Sequence, residues 1–213
     1  MYAAVLLFVF MCWTASAHAD QHHPCRSPNM TGLLSVMGAM GEVRAVGVFT
    51  YDSMHKKLRF QSNSSLPMNV TLDLDLLVFF EEGILYKIDS KNQSCEKKSL
   101  QSKKHPFAIP NDATYISTMT SGSTFIEGEG LKFQIWTIPT PGYKGQSLMC
   151  ATMGCLPLST IYMTDSSMFI YSNLNVELDI KDPDLLVVPP FCQGLHVEET
   201  PEGTVYGFYE EFL

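Results

Sequence analysis

Glycosylation sequons and cysteines are the residues of this chain whose types and spacing suggest chemistry. Four Asn-x-Ser/Thr sequons occur, at Asn29, Asn63, Asn69 and Asn92, and the last ends directly before Cys95. A sequon receives its N-linked glycan in the secretory pathway, where cysteines also form disulfides. Together these residues predict a secreted glycoprotein with disulfide bonds.

The cysteines are odd in number once an N-terminal segment is removed. Cys12 lies in an apolar stretch that we expect to be cleaved, which leaves Cys25, Cys95, Cys150, Cys155 and Cys192. Five cysteines in a secreted protein predict two internal bridges and one thiol that either joins another chain or stays buried and reduced. They do not form paired Cys-x-x-Cys units, so we expect no zinc site. The spacing leaves the connectivity open.

Motifs of the common enzyme classes do not occur in the sequence. Ser147 follows Gly145 at the spacing of a nucleophile elbow, but the second glycine of that motif is missing. The sequence also lacks a His-Glu-x-x-His zinc motif, a phosphate-binding loop and a Gly-x-Gly-x-x-Gly turn. We therefore predict a non-enzymatic protein, with a secreted hydrolase as a remote alternative.

Acidic residues offer a candidate calcium site. Calcium takes six to eight oxygen ligands, usually with several carboxylates among them. Asp179, Asp182 and Asp184 form the best local cluster, followed by Asp73 and Asp75, and neither group supplies a full set of ligands. Asp179, Asp182 and Asp184 are therefore the candidate metal ligands.

The N-terminus and the charge balance point to the outside of the cell. Residues 1–19 carry no Asp, Glu, Lys or Arg, contain an apolar run and end in small-residue cleavage patterns, which predicts a secretory signal peptide. No later apolar run reaches the length of a membrane helix, so we expect no transmembrane segment. The formal net charge of −8 argues against nucleic acid, whose phosphates need a basic surface.

Apolar and polar residues alternate with a period of two in four stretches, residues 57–61, 70–76, 131–135 and 173–180. This alternation is typical of strands with one buried and one solvated face. In the last stretch, Leu174, Val176, Leu178 and Ile180 are expected to share a face. We predict a mainly β protein with two antiparallel sheets around an apolar interior.

A hairpin is the most specific local prediction. Residues 77–95 begin with an apolar strand, continue through a Glu-Glu-Gly turn and return as a second strand, and Gly83 can take the positive φ that a tight turn requires. We predict that residues 72–80 pair antiparallel with Ile84–Asp89. The acidic tail, residues 198–213, is expected to be loosely held.

Five patches of the sequence resemble the ependymins, secreted brain glycoproteins of fish, and the wider ependymin-related family. One is the hairpin segment, residues 77–95. The others are Pro24-Cys25, residues 47–60, Gly154-Cys155-Leu156-Pro157, and Asp182-Pro183 with Val188-Pro189-Pro190 and Cys192. Because they occur in the family order across most of the chain, residues 20–213 are identified as a single ependymin domain.

The resemblance implies a fold, a disulfide pattern and an assembly. The fold is a curved sandwich or half-barrel of two antiparallel sheets that resembles bacterial lipoprotein carriers and encloses a deep hydrophobic pocket. The implied bridges are Cys25–Cys155 and Cys95–Cys192. Cys150 is then left over as the candidate for an intermolecular disulfide in a homodimer, with a buried thiol as its rival.

The resemblance also implies a function. It describes a secreted, calcium-binding glycoprotein of extracellular and cerebrospinal fluid that is involved in neural plasticity, axon regeneration and cell–matrix adhesion. Calcium is held partly through sialylated glycans, and extracellular matrix components are the expected partners. The alternative is a carrier that holds lipids or fatty acids in the hydrophobic pocket.

Overall fold

The computed structural model describes residues 24–62, 72–102, 106–139, 146–199 and 207–212. Its strands are β1 (Met30–Gly38), β2 (Val43–Asp52), β3 (Lys57–Ser62), β4 (Asp75–Phe79), β5 (Ile84–Asp89), β6 (Ser94–Ser99), β7 (Thr114–Gly122), β8 (Gly130–Pro139), β9 (Gln146–Thr152), β10 (Pro157–Met163) and β11 (Met168–Glu177). Within these ranges, helix is limited to three short 3-10 segments, Pro183–Leu186, Pro190–Cys192 and Phe208–Phe212. We call the last of these the aromatic helix.

All eleven strands form one antiparallel sheet in the order β6-β5-β4-β3-β2-β1-β11-β10-β9-β8-β7. Two meanders, β1–β6 and β7–β11, are joined where β1 pairs with β11. The mainly β, antiparallel class is confirmed. The structure corrects the number of sheets from two to one, because the β1–β11 ladder makes the two halves continuous.

Contacts across the interior show that this sheet is strongly curved. The Glu210 carboxylate accepts a 2.8 Å hydrogen bond from Tyr162 of β10, while Glu211 lies 3.9 Å from the Nζ atom of Lys87 in β5. The two strands are six positions apart in the sheet, which corresponds to roughly 29 Å if the sheet were flat. Because side chains stand roughly perpendicular to a sheet, two consecutive residues contact both strands only if the sheet curls around them. The sheet is therefore an open half-barrel.

The two faces of the sheet are buried differently. The interior face carries the largest cluster of buried side chains, which we call the interior cluster; it includes Phe49, Tyr51, Phe60, Val78 and Tyr171. The opposite face of β4 and β5 is covered by the segment after β11, where Leu186 and Cys192 pack against Leu77 and Phe79. A third cluster surrounds Trp136 of β8.

The predicted hairpin is confirmed. β4 pairs antiparallel with β5, with Leu76 opposite Lys87 and Phe79 opposite Ile84. Gly83 takes a φ of 67° in the turn between them. The first strand begins at Asp75, three residues later than predicted, and ends at Phe79, one residue earlier, while the second strand has the predicted bounds.

The shared face predicted for residues 174–180 is wrong. The pairing of β1 with β11 shifts register between Thr31 and Leu33, and Asn175 opposite this shift has a φ of 49°. This bulge turns Val176 towards the interior cluster while Leu174 stays on the opposite face, 47% exposed. A bulge inserts one extra residue and so reverses the alternation beyond it.

Some sequence-based expectations fall outside the described residues, among them the signal peptide, residues 1–19, and the sequons at Asn63 and Asn69. Among the described residues, no helix has the length and apolar character needed to cross a membrane. The expectation of a loosely held tail is wrong for the aromatic helix, because Phe208 and Phe212 are buried.

Candidate functional site

The aromatic helix fills the interior of the half-barrel. The ring of Phe212 contacts Phe60 of β3 and Tyr171 of β11 edge-on, with centroid distances of 5.6 and 5.5 Å. Tyr209 stacks on Tyr162 of β10 at 4.7 Å. The hydrophobic pocket implied by the resemblance is thus occupied by the chain's own aromatic side chains in this structure.

Polar groups on the strands hold the backbone and one carboxylate of the aromatic helix. The hydroxyl of Tyr171 donates to the carbonyl of Tyr209 at 3.3 Å, and the hydroxyl of Tyr162 donates to Glu210 at 2.8 Å. The guanidinium of Arg44 donates to the carbonyl of Phe212 at 3.4 Å. Burial raises the pKa of Tyr162 and of Tyr171 well above the ordinary phenol value, and both remain neutral donors at physiological pH.

Glu211 is a buried carboxylate between lysines. Its side chain is 4% exposed and lies 3.9 Å from the Nζ atom of Lys87 in β5. Burial raises the pKa of Glu211, the positive charges of Lys98 and Lys87 lower it, Glu96 raises it further, and the net direction is upward. Lys98 itself is 3.0 Å from the carboxylate of Glu96. Desolvation therefore outweighs the attraction of the two lysines at this position.

A polar cavity of about 670 Å³ opens beside this carboxylate. It is lined by ends of β3 to β6 and their connections, and Lys87 and Glu96 belong to its walls together with Gln61, Lys91 and Ser94. Asp75, another wall residue, is held by Arg59, whose Nη2 donates to it at 2.7 Å. Lys87 thus belongs to the cavity wall and also lies 3.9 Å from the carboxylate of Glu211 in the aromatic helix.

The face opposite the interior, on β1 and β7–β11, is apolar and incompletely buried. We call it the outer apolar face; its apolar members are Leu33, Met37, Met119, Leu131, Phe133, Ile135, Leu148, Cys150, Ile161, Met163, Met168, Ile170 and Leu174. The three clusters of buried side chains found in the described parts of the chain include none of them. Cys150 lies near the middle, opposite Ile135 of β8 and Ser159 of β10, with a free, half-buried thiol.

Two disulfides fasten the remaining segments to the sheet. The structure joins Cys25 to Cys155 and Cys95 to Cys192, the same pairs that the resemblance implies. The second bridge holds the 3-10 segment Pro190–Cys192 against the start of β6. Both bridges close long stretches of chain, with sequence separations of 130 and 97 residues.

The two sequon asparagines within the described residues have different surroundings. Asn92 is exposed in the β5–β6 turn, where its side-chain amide donates to Asp89 at 2.6 Å. Hydrogen bonds from Asn92 and Lys91 lower the pKa of Asp89. Asn29 is half-buried, and its Oδ1 atom accepts hydrogen bonds from the backbone and the hydroxyl of Ser53. The structure thus leaves Asn92 open to modification and gives Asn29 a structural role as well.

The three candidate calcium ligands are not brought together. Asp182 caps the 3-10 segment Pro183–Leu186 by accepting from the backbone of Asp184, and Asp179 accepts from the backbone of Ile180. Across the described ranges, no group of three or more His, Cys, Asp or Glu side chains is arranged to hold a metal ion. The carboxylates of Asp179 and Asp182 accept hydrogen bonds from the backbone of the same chain turn and do not converge on a common point.

Sequence reasoning missed the aromatic helix and its position. The residues 208–212 have a recognisable apolar spacing, with Phe208, Tyr209 and Phe212 in one turn. This spacing indicates a short helix with a buried side. Nothing in it identifies the partner surface, because the contacts are made with strands from both halves of the sheet.

Comparisons with known proteins agree on one family. Residues 68–192 match the family model described as Ependymin. Ependymin-1 of Oncorhynchus mykiss is 42% identical over 216 residues, which cover 99% of this chain and 97% of that protein. Ependymin of Esox lucius is 41% identical, with coverage of 93% and 94%. Among solved structures, an uncharacterized conserved protein from Thermus thermophilus shares the fold at 8% identity, with a TM-score of 0.50 over 82% of this chain and 91% of that one.

Proposed function

The chain belongs to the ependymin family, and from this premise we propose that it is a secreted, non-enzymatic, calcium-binding glycoprotein of extracellular and cerebrospinal fluid. Similarity to ependymins over nearly the whole length carries the proposal. The exposed Asn92 and the two long-range disulfides support it, since both suit a protein made in the secretory pathway. The biological setting that we propose is neural plasticity, axon regeneration and cell–matrix adhesion.

Expression of the full chain in cultured animal cells tests secretion and glycosylation together. We expect the protein in the medium, with a mass that falls after N-glycosidase treatment and falls partly in Asn92→Gln. Asn111→Gln is the matched control, because Asn111 is exposed in a turn but lies outside any sequon. Retention of unglycosylated protein inside the cells contradicts the proposal.

Calcium binding is assigned to the glycans and to the acidic surface as a whole. The net charge of −8 supports diffuse binding of a divalent cation, and three aspartates near the end of β11 are not arranged as a site. Calorimetric titration of the secreted protein with calcium before and after sialidase treatment is the test. We expect most of the binding to be lost with the sialic acids, and unchanged binding contradicts the assignment.

A homodimer through the outer apolar face is part of the same proposal. Six strands side by side, several of them nine or ten residues long, span about 24 Å by about 30 Å. This approaches the ~800 Å² per partner of a standard protein interface. A two-fold axis through the middle of this face brings each Cys150 close to its own copy.

The second candidate function is transport of hydrophobic molecules inside the half-barrel. The observation that favours it is the interior cluster, where aromatic walls meet a short helix and a polar cavity adjoins them. Apolar walls with a few polar groups are the usual composition of small-molecule sites. Saturable uptake of a fluorescent fatty acid by delipidated protein supports this function, and absence of uptake contradicts it.

A further inference from the structure

We propose that the aromatic helix is an intramolecular occupant of an amphiphile site, and that the interior accepts a single-chain carboxylate when this helix leaves. The inference rests on the carrier function proposed above and adds the intramolecular competitor and the residue that faces the head group. Glu211, Phe208 and Phe212 of the helix supply a carboxylate next to an apolar body, which is the composition of a fatty acid.

The helix is held mainly by packing, and its polar contacts include the hydrogen bonds from Tyr162, Tyr171 and Arg44 and the ion pair of Glu211 with Lys87. It adds no strand to the sheet, and Cys192, the last cysteine of the sequence, precedes it by fifteen positions or more. Arg44 and Tyr171 contact its backbone over long hydrogen bonds of 3.4 and 3.3 Å. A segment bound in this way can be exchanged for another apolar group without breaking the sheet.

The surface beneath the helix must be covered by something apolar. Phe60 and Tyr171 are almost fully buried and both contact the ring of Phe212, so departure of the helix exposes this part of the interior cluster. Three aromatic side chains, Phe208, Tyr209 and Phe212, bury roughly 450–750 Å² together. At about 30 Å² for each methylene, an acyl chain of about 16–18 carbons covers a similar area.

The position of the charges determines the head group. Lys87 lies 3.9 Å from Glu211 and also lines the polar cavity, so it remains in the cavity wall as a cation when the helix leaves. Lys98 is already paired with Glu96 at 3.0 Å. A ligand carboxylate beside Lys87 remains hydrated, because it faces the polar cavity. The carboxylate of Glu211 has lost most of its water, since that side chain is 4% exposed. This difference favours a fatty-acid anion over a neutral ester.

Binding of cis-parinaric acid, a fluorescent fatty acid, to delipidated full-length protein tests the competition. Phe212→Ala weakens docking of the helix, so we expect its apparent affinity to rise about tenfold or more, because more molecules have the site free. Glu211→Gln replaces a buried charge with a neutral group and holds the helix more tightly, so the affinity falls several-fold. Phe125→Ala, at a side chain that is 98% exposed in the β7–β8 turn, serves as the matched control and binds like wild type.

The outcomes separate this inference from the carrier function. If wild type binds cis-parinaric acid and Phe212→Ala and Glu211→Gln bind it with the same affinity as wild type, the helix is not the competitor. The carrier function then still stands. If no protein binds while all show the same folded spectrum, the carrier function fails as well. If Phe212→Ala does not fold, Glu211→Gln decides alone, since a weaker affinity supports the inference and an unchanged one overturns it.

The head-group assignment has its own test. Lys87→Gln is expected to weaken binding of cis-parinaric acid several-fold and not to weaken binding of its methyl ester, because only the acid carries a charge that Lys87 attracts. Equal effects on acid and ester overturn the assignment, because they indicate a change in the shape of the site and not in its charge.

Discussion

Asn29 and Asn92 both belong to Asn-x-Ser/Thr sequons, but their side chains have different contacts in the structure. Asn92 is exposed and contacts only its own turn, while Asn29 connects the N-terminal segment to the β2–β3 turn through Ser53. The sequon pattern predicts glycan acceptance at both positions. It cannot predict the bridge at Asn29, because Ser53 is brought to it by the pairing of β1 with β2.

Replacing Asn29 is therefore expected to destabilise the protein beyond the loss of a glycan. Asn29→Ala leaves the backbone N–H of Ser53 without its acceptor in a half-buried position, which costs about 1–3 kcal/mol. Thr31→Val removes the same sequon and keeps the asparagine. Thermal unfolding of both variants is the measurement: a clear loss in the first and a small one in the second is expected, and equal losses assign the effect to the glycan.

Glu211→Gln is expected to stabilise the protein near neutral pH. Burial raises the folded-state pKa of Glu211 above its ordinary value, while Lys87 from β5 and Lys98 from β6 oppose the shift and Glu96 from β6 adds to it. The stability linked to a raised pKa is present below the ordinary value and is lost as the pH rises through the raised one. Glutamine has no charge to bury and escapes this loss.

Melting temperatures at two pH values check the sign. The variant should melt higher than wild type at pH 7.4, by about 2–4 °C for each kcal/mol gained, and at the same temperature at pH 4. Glu210→Gln is the neighbouring control and should not be stabilised, because Glu210 accepts a hydrogen bond from Tyr162. A lower melting temperature for Glu211→Gln at pH 7.4 means that the lysines outweigh burial.

Strands and turns were predictable where the signal is local. The β4–β5 hairpin follows from an apolar stretch, a glycine with positive φ and a second apolar stretch within a short span. The end of β11 was mispredicted, because the bulge at Asn175 is set by the register of pairing with β1, which is far away in sequence. The same reason hides the partner of the aromatic helix: its spacing is local, but the surface it covers is assembled from distant strands.

The segment after β11 depends on its disulfide. Cys95–Cys192 holds Leu186 and its neighbours against β4 and β5 and closes a stretch with a sequence separation of 97 residues. A loop of this length is worth about 4.7 kcal/mol in the chain-entropy model, and removing a native bridge typically costs about 2–5 kcal/mol. We therefore expect Cys95→Ser to be secreted poorly.

The yield in the culture medium measures this effect. Cys150→Ser removes a thiol that is free within the protomer and should be secreted like wild type, which makes it the matched control. Normal secretion of Cys95→Ser shows that the apolar contacts of Leu186 suffice without the bridge.

For the whole molecule, the outer apolar face predicts a dimer that is held by apolar contacts. The disulfide between the two Cys150 residues is not needed for it to form. Non-reducing electrophoresis of wild type should show a dimer band that is absent in Cys150→Ser, while sedimentation should still show a dimer for that variant. Ile161→Lys puts a charge on the face and should give monomers by both methods. A dimer band that persists in Cys150→Ser assigns the link to another cysteine, and a dimeric Ile161→Lys assigns the interface to another surface.

The pairing of β1 with β11 also has a consequence for how the protein is made. A ribosome adds about 5–20 residues per second, so in the secretory pathway that we propose for this protein Cys155 is made roughly 6.5–26 s after Cys25, given their sequence separation of 130 residues. During that interval β1 has no β11 to pair with, and Cys95 arrives before the correct partner of Cys25. The centre of the sheet is thus completed only after translation of β11, and any Cys25–Cys95 bridge formed before then has to be undone by thiol–disulfide exchange.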